Sequence, residues 1–211
     1  SDKMLSEIEG SFTCVAADKD NHGPVGVHDR YHFAHADGTS FFPFGTTCYA
    51  WIHQPESLQE ETIATLKYNH FNKLRMCVFP KFYSNNSNEP ELYPFEGTAP
   101  DMWDFSRFNP EFFMHLEKQV MRLMEMNIEV DLILFHPYDK GHWGFDRMDS
   151  ETDAAYLRYM IARLSSFRNI WWSMANEFDY MEMKTMEDWD RNIEIVAKSD
   201  PYHHLLSIHN G

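Results

Sequence analysis

Five short apolar runs, each separated from the next by a stretch with helical spacing, constrain this chain more than any other feature. They lie at 41–51, 71–79, 129–136, 169–175 and 205–208. Their apolar residues are consecutive rather than alternating, which marks strands buried on both faces, as in a parallel sheet. Between them, 56–70 carries Leu58, Ile63 and Leu66 among charges and predicts a first helix. Asn109-Pro110 supplies an N-cap and a first-turn proline for a second, whose buried stripe is Phe113, Leu116, Val120, Leu123 and Met124. Ser150 and Asp153 read as a capping box for a third, with Leu157, Met160, Ile161 and Leu164 as its stripe. Thr185 and Asp188 cap a fourth, bearing Trp189, Ile193 and Val196 and stopped at Asp200-Pro201.

Residues 1–40 are polar and turn-rich, and Asp37-Gly38 between two aromatic segments is a hairpin signal. They form a short β lead-in, with 41–211 as the main unit. Segment 81–109 is rich in Asn and Pro without clear periodicity. Its Tyr83, Tyr93, Phe95 and Trp103 predict an ordered lid rather than a regular element.

The β-α alternation fits an open doubly wound sheet or a closed barrel. No glycine-rich phosphate loop follows the first strand, which disfavours the nucleotide-binding form. Polar and aromatic residues cluster just after strand ends, where barrels keep their active sites. The expected fold is therefore α/β of (β/α)8, TIM-barrel type, covering strands one to five. Five strands cannot close such a barrel. The rest is expected from a C-terminal part of the barrel or from another copy of the chain, and the isolated 211-residue chain is expected to be incomplete as a catalyst.

The formal net charge of −15 argues against nucleic acid and anionic membranes as partners. A neutral carbohydrate substrate fits, and the 16% aromatic content suits both an aromatic core and a ring-lined cleft. Cys14, Cys48 and Cys77 are odd in number and lack metal-type spacing, so no disulfide framework, metal or cofactor is expected, and a reducing, cytoplasmic setting is. No run reaches transmembrane length, and Ser1-Asp2-Lys3-Met4 reads as a processed end.

The strongest chemical signal is Ile170-Trp171-Trp172-Ser173-Met174-Ala175-Asn176-Glu177, an apolar strand that ends in Asn-Glu. Glycoside hydrolysis needs a carboxyl that protonates the departing oxygen, and a ring-walled strand end favours the protonated form through desolvation. An amide beside it suits a sugar 2-hydroxyl. The plain alternative is an exposed glutamate with an asparagine capping a turn. The Trp-Trp strand in its β/α setting favours catalysis.

The pattern Trp172 to Glu177 resembles the fourth strand of glycoside hydrolase clan A, the retaining (β/α)8 superfamily. Together with FGTTCYAW (44–51), DFSRFNPEFF (104–113), LILFHPYDK (132–140) and YLRYMIARL (156–164), it resembles the apiosidase-like branch of the glycoside hydrolases. The resemblance implies that Glu177 is the acid/base and Asn176 its 2-hydroxyl partner. It also implies a nucleophilic glutamate at the end of strand seven, which this sequence does not contain. Asp139, Asp179 and Glu182 are available carboxylates that do not match that pattern. In this resemblance Arg75, a charge inside an apolar strand, lies near the nucleophile; otherwise it pairs with a barrel carboxylate.

Further substrate contacts are expected at strand ends. Tyr49, Trp51 and His53 follow strand one, His136, Tyr138 and Trp143 follow strand three, and His209 and Asn210 follow strand five. Trp171 and Trp172 point to opposite faces of a regular strand, so one faces the interior, and Trp172 is a candidate contact. His136 with His142 could instead hold a metal, but the pair lacks a recognised ligand spacing.

Overall fold

The computed structural model describes residues 10–211; Ser1-Asp2-Lys3-Met4 lies outside them. An antiparallel sheet comes first, from β1 (Val25–His28), β2 (His32–His35) and β3 (Ser40–Phe41). Then β4 (Gly45–Thr47) opens the main sheet and runs into a 3-10 turn at Trp51–His53 and helix α1 (Glu56–Tyr68). β5 (Lys73–Cys77) follows. A hairpin of β6 (Phe95–Thr98) and β7 (Met102–Phe108) precedes α2 (Pro110–Glu125). β8 (Glu129–Phe135), α3 (Ser150–Leu164), β9 (Ile170–Ala175), α4 (Met186–Ser199) and β10 (Leu206–Ser207) complete the chain.

The main sheet is parallel throughout, in the order β4-β5-β8-β9-β10. Each strand pairs with its predecessor, and the order never reverses. A doubly wound sheet requires a reversal, so a singly wound, barrel-type sheet is what remains. One face carries Leu74, Met76, Val130, Leu132, Ile170, Trp172 and Met174, all buried against the helical stripes of Leu116, Val120, Leu157, Ile161 and Val196.

The other face is charged. Register sets Lys73 opposite Glu129 and Arg75 opposite Asp131. Lys73 Nζ lies 2.9 Å from Asp131 and 4.0 Å from the centre of the Trp171 ring. The Trp171 indole donates to Glu129 at 2.7 Å, and Phe33 and Phe41 of the first sheet pack on its ring. The small sheet thus caps the N-terminal end of the main sheet.

Three expectations need correction. The first strand was expected across 41–51, but Phe41 belongs to the small sheet and Trp51 to a turn. Segment 81–109 is not wholly irregular, because β6 and β7 pair within it. Helix α3 is capped by Asp149, whose side chain accepts from the Thr152 N–H, so Ser150 is already inside the helix. The Thr185–Asp188 capping box is present. Among the described residues no helix is long and apolar enough to cross a membrane.

Candidate active site

The C-terminal ends of β4, β5, β8 and β9 bring Tyr49, Arg75, Tyr138, Asn176 and Glu177 together. Asn176 is the hub. Its buried side-chain oxygen accepts from Arg75 Nη2 at 3.0 Å and from the Tyr49 hydroxyl at 3.3 Å. Its amide nitrogen donates to the Tyr138 hydroxyl. Arg75 also donates to Ser173 Oγ at 3.1 Å, and its Nη1 lies 3.7 Å from Asp131. Three strands are thus tied to one amide, which fixes both which way the Asn176 side chain is flipped and where the next residue begins.

That next residue is Glu177, with φ +53° and ψ +53°. Left-handed backbone is unfavourable for a residue with a side chain, and such strain persists only where the surroundings over-determine it. Here the Asn176 hub holds one side. The Phe178 N–H, donating to the His209 carbonyl at 3.0 Å, holds the other. The turn keeps Glu177 at the same rim as Asn176 and the Tyr138 hydroxyl that Asn176 donates to. The Tyr138 hydroxyl proton is held far more tightly than usual, by burial first and then by the negative charge of nearby Glu177.

Lys81, which sequence reasoning missed, enters the same cluster. It is 9% exposed, and its ammonium sits 3.8 Å from the centre of the Tyr138 ring, 3.9 Å from that of Tyr49 and 4.6 Å from that of Tyr83. Burial lowers its pKa, and the charge of Glu177 opposes that shift. A lone lysine in an irregular Asn- and Pro-rich stretch carries no sequence signal of such a role. The inward Asp131 was detectable, because Lys73, Arg75, Glu129 and Asp131 alternate along their strands.

Several expected contacts are placed elsewhere. Trp51 is 3% exposed, and its indole donates to the Gln59 carbonyl at 3.2 Å, so it is core and not subsite. His53 is buried against the Phe112 ring and donates to the Val78 carbonyl, and burial pushes its pKa down to about 3. Trp143 is buried with its indole on Glu89. Trp172 faces the helices, where its indole donates to Asp200 at 3.0 Å; the strand's inward tryptophan is Trp171.

His136 is buried, with its Nε2 donating to the Phe79 carbonyl and its Nδ1 accepting from the Tyr138 N–H. Both ring nitrogens are taken, which leaves neither a sugar contact nor a metal lone pair. Burial holds its pKa down to about 4, and its ring stacks on Tyr138. With His136 on one side and Lys81 over the ring, Tyr138 offers its hydroxyl, not its face. His209 and Asn210 are exposed beyond β10, and neither side chain bonds to the cluster among the described residues. Asp139 accepts from the Gly141 and Phe145 N–H groups and so organises its own loop. Asp179 accepts from the Gly211 N–H.

The fold that carries this cluster parallels known structures. A candidate glycoside hydrolase from Bacteroides vulgatus ATCC 8482 is 52% identical with a TM-score of 0.92, the match covering 96% of this chain and 41% of that one. A family 5 glycoside hydrolase from the same organism is 16% identical with a TM-score of 0.64, covering 90% and 39%. An exo-β-1,4-mannosidase from Opitutaceae bacterium strain TAV5 is 19% identical with a TM-score of 0.64, covering 86% and 34%. The two distant matches bear on the fold alone, which is the partial (β/α)8 barrel. This chain spans less than half the length of each of these structures. No curated protein matches it. A family pattern matches residues 27–211 of this sequence, and the chain belongs to the family of Apiosidase-like catalytic domains.

Proposed function

We propose that this domain is part of a retaining glycoside hydrolase acting on plant or microbial oligo- or polysaccharides, with Glu177 as its general acid/base. The observation that carries the reading is the strained Glu177 at the end of β9, set beside an Asn176 amide that three neighbouring strand ends hold in place. Side chains held this firmly need no reorganisation as charge develops in the reaction.

In the first step, protonated Glu177 gives its proton to the glycosidic oxygen as that bond breaks and the nucleophile's carboxylate bonds to the anomeric carbon, from which water later displaces it. In the second, ionised Glu177 removes a proton from the water that releases the sugar. The Asn176 amide has used one of its two N–H donors on Tyr138, and the other is free for a sugar hydroxyl. The Arg75 guanidinium, between Asp131 and Asn176, makes the floor of the site electropositive and favours an ionised nucleophile above it. That nucleophile belongs to a strand beyond the five seen here.

The test uses the full-length protein. Glu177→Gln should slow hydrolysis of glycosides with poor leaving groups by about 10²- to 10⁴-fold, while aryl glycosides with activated leaving groups lose much less. Equal rates for wild type and variant on natural glycosides would remove Glu177 from the role. Calorimetry that shows sugar affinity without any product would identify a carbohydrate-binding barrel instead.

A further inference from the structure

The Lys81 cage has no part in the scheme above, yet it is among the least ordinary features of the cluster. A buried ammonium needs acceptors or a counter-charge. Among the described residues Lys81 has no ion pair and no side-chain hydrogen bond, only three tyrosine faces. Ring quadrupoles attract a cation, and three in contact offset much of the lost hydration. They do not neutralise the charge.

The titratable and charged groups around it are Tyr49 from the end of β4, Arg75 and Cys77 from β5, Tyr83 on its own loop, His136 and Tyr138 from the end of β8, and Glu177 from the end of β9. Burial pushes the Cys77 thiol up to about 12, so it is uncharged at ordinary pH, and His136 is neutral. Tyr49 and Tyr138 hold their protons. Arg75 has the same sign as Lys81 and is taken up by Asp131, Asn176 and Ser173. Tyr49 and Tyr138, whose faces hold Lys81, both bond to the Asn176 side chain, and the next residue, Glu177, is the carboxylate that joins this cluster. The Tyr138 ring lies under the ammonium, and its hydroxyl accepts from Asn176, the residue before Glu177.

We propose that Lys81 is a positioning residue for the acid/base: clamped on Tyr49, Tyr83 and Tyr138, its ammonium stabilises the ionised Glu177 that must persist between proton donation and the attack of water. This rests on the reading of Glu177 given above. It adds a specific division of labour, in which Tyr49 and Tyr138 use their faces to hold a cation rather than to stack a sugar.

Two measurements on the full-length protein test it. In the pH profile of kcat/KM, the alkaline limb reports loss of the catalytic proton. Lys81→Met removes the stabilising cation and should move that limb up by about one pH unit, so that activity relative to wild type rises about tenfold on the alkaline side. Lys81→Arg should stay near the wild-type limb. Independently of turnover, NMR of isotopically labelled lysine, with Lys81 assigned from the Lys81→Arg spectrum, should show its titration moving to lower pH in Glu177→Gln. An unmoved limb in Lys81→Met, or a Lys81 titration indifferent to Glu177→Gln, would overturn the proposal. Raised KM with neither shift would make Lys81 a substrate-binding group instead. A protein inactive on every glycoside that still shows the NMR shift would sink the glycosidase reading while supporting the Lys81–Glu177 pairing.

Discussion

Tyr138 accepts from Asn176 through its hydroxyl, whose proton the charge of nearby Glu177 helps to hold, while its ring lies between His136 and Lys81. Tyr138→Phe keeps the ring and its packing and removes only the oxygen. A hydrogen bond to a charged group contributes about 1.5–3 kcal/mol, so kcat should fall at least about tenfold with little change in KM. Unchanged kcat across a leaving-group series would show that the hydroxyl does not act on Glu177. At this scale the sequence was legible where backbone direction decides the outcome. Asn176, Arg75, Tyr49 and Tyr138 meet because parallel strand ends in register must bring them to one rim. It was not legible where a turn decides. Trp51 and His53 follow a strand just as Tyr49 does, but the 3-10 turn at Trp51–His53 directs them under α1 and α2.

The helices were legible at the level of whole elements because caps and stripes are local. Thr185 and Asp188 satisfy each other's backbone groups at the start of α4. The β6–β7 hairpin was missed because its alternation, with Trp103 and Phe105 packed against the core and Asp104 and Ser106 outward, is short and lies among residues that read as loop. Between α3 and α4 lies a contact with no sequence signal at all. Lys184, just before the α4 cap, reaches Asp153 of α3 at 2.5 Å and the Met148 carbonyl at 3.1 Å, with its side chain and that of Asp153 almost wholly buried. Lys184→Met leaves the Asp153 carboxylate buried without its cation. The expected loss is about 3–5 kcal/mol, read as a lower denaturation midpoint. A midpoint within error of wild type would show that the α3–α4 pair is held by apolar packing alone.

For the molecule as a whole, the inward charges under the small sheet link folding to pH. Burial raises the Glu129 carboxyl to about 7, against an ordinary value of 4.5. Between these values the folded chain holds a proton that the unfolded chain has released, so stability falls as pH rises through this window and levels off above it. The full drop is about 3 kcal/mol. Asp146, also raised to about 7 by burial and by neighbouring Asp139, adds a slope of the same sign. Buried His53 and His136, held down to about 3 and 4, work with the opposite sign below pH 6.5, so Glu129→Gln should show a smaller loss of melting temperature than wild type between pH 5 and pH 8. An identical loss in variant and wild type would place the linkage elsewhere. The barrel-type architecture itself was legible in the β-α alternation. The burial of charges between the main sheet and its cap was not, because the chain shows which residues alternate but not what is laid over them.

The strand order β4-β5-β8-β9-β10 has a consequence for how the chain assembles. No later strand is inserted between two earlier ones, so each βα unit leaving the ribosome meets a template already laid down. The loops that must close are single crossovers rather than spans of the whole chain, which keeps the entropy of ordering low at each step. Such a sheet can grow in the direction of synthesis, one unit at a time, with its newest edge always the one awaiting a partner.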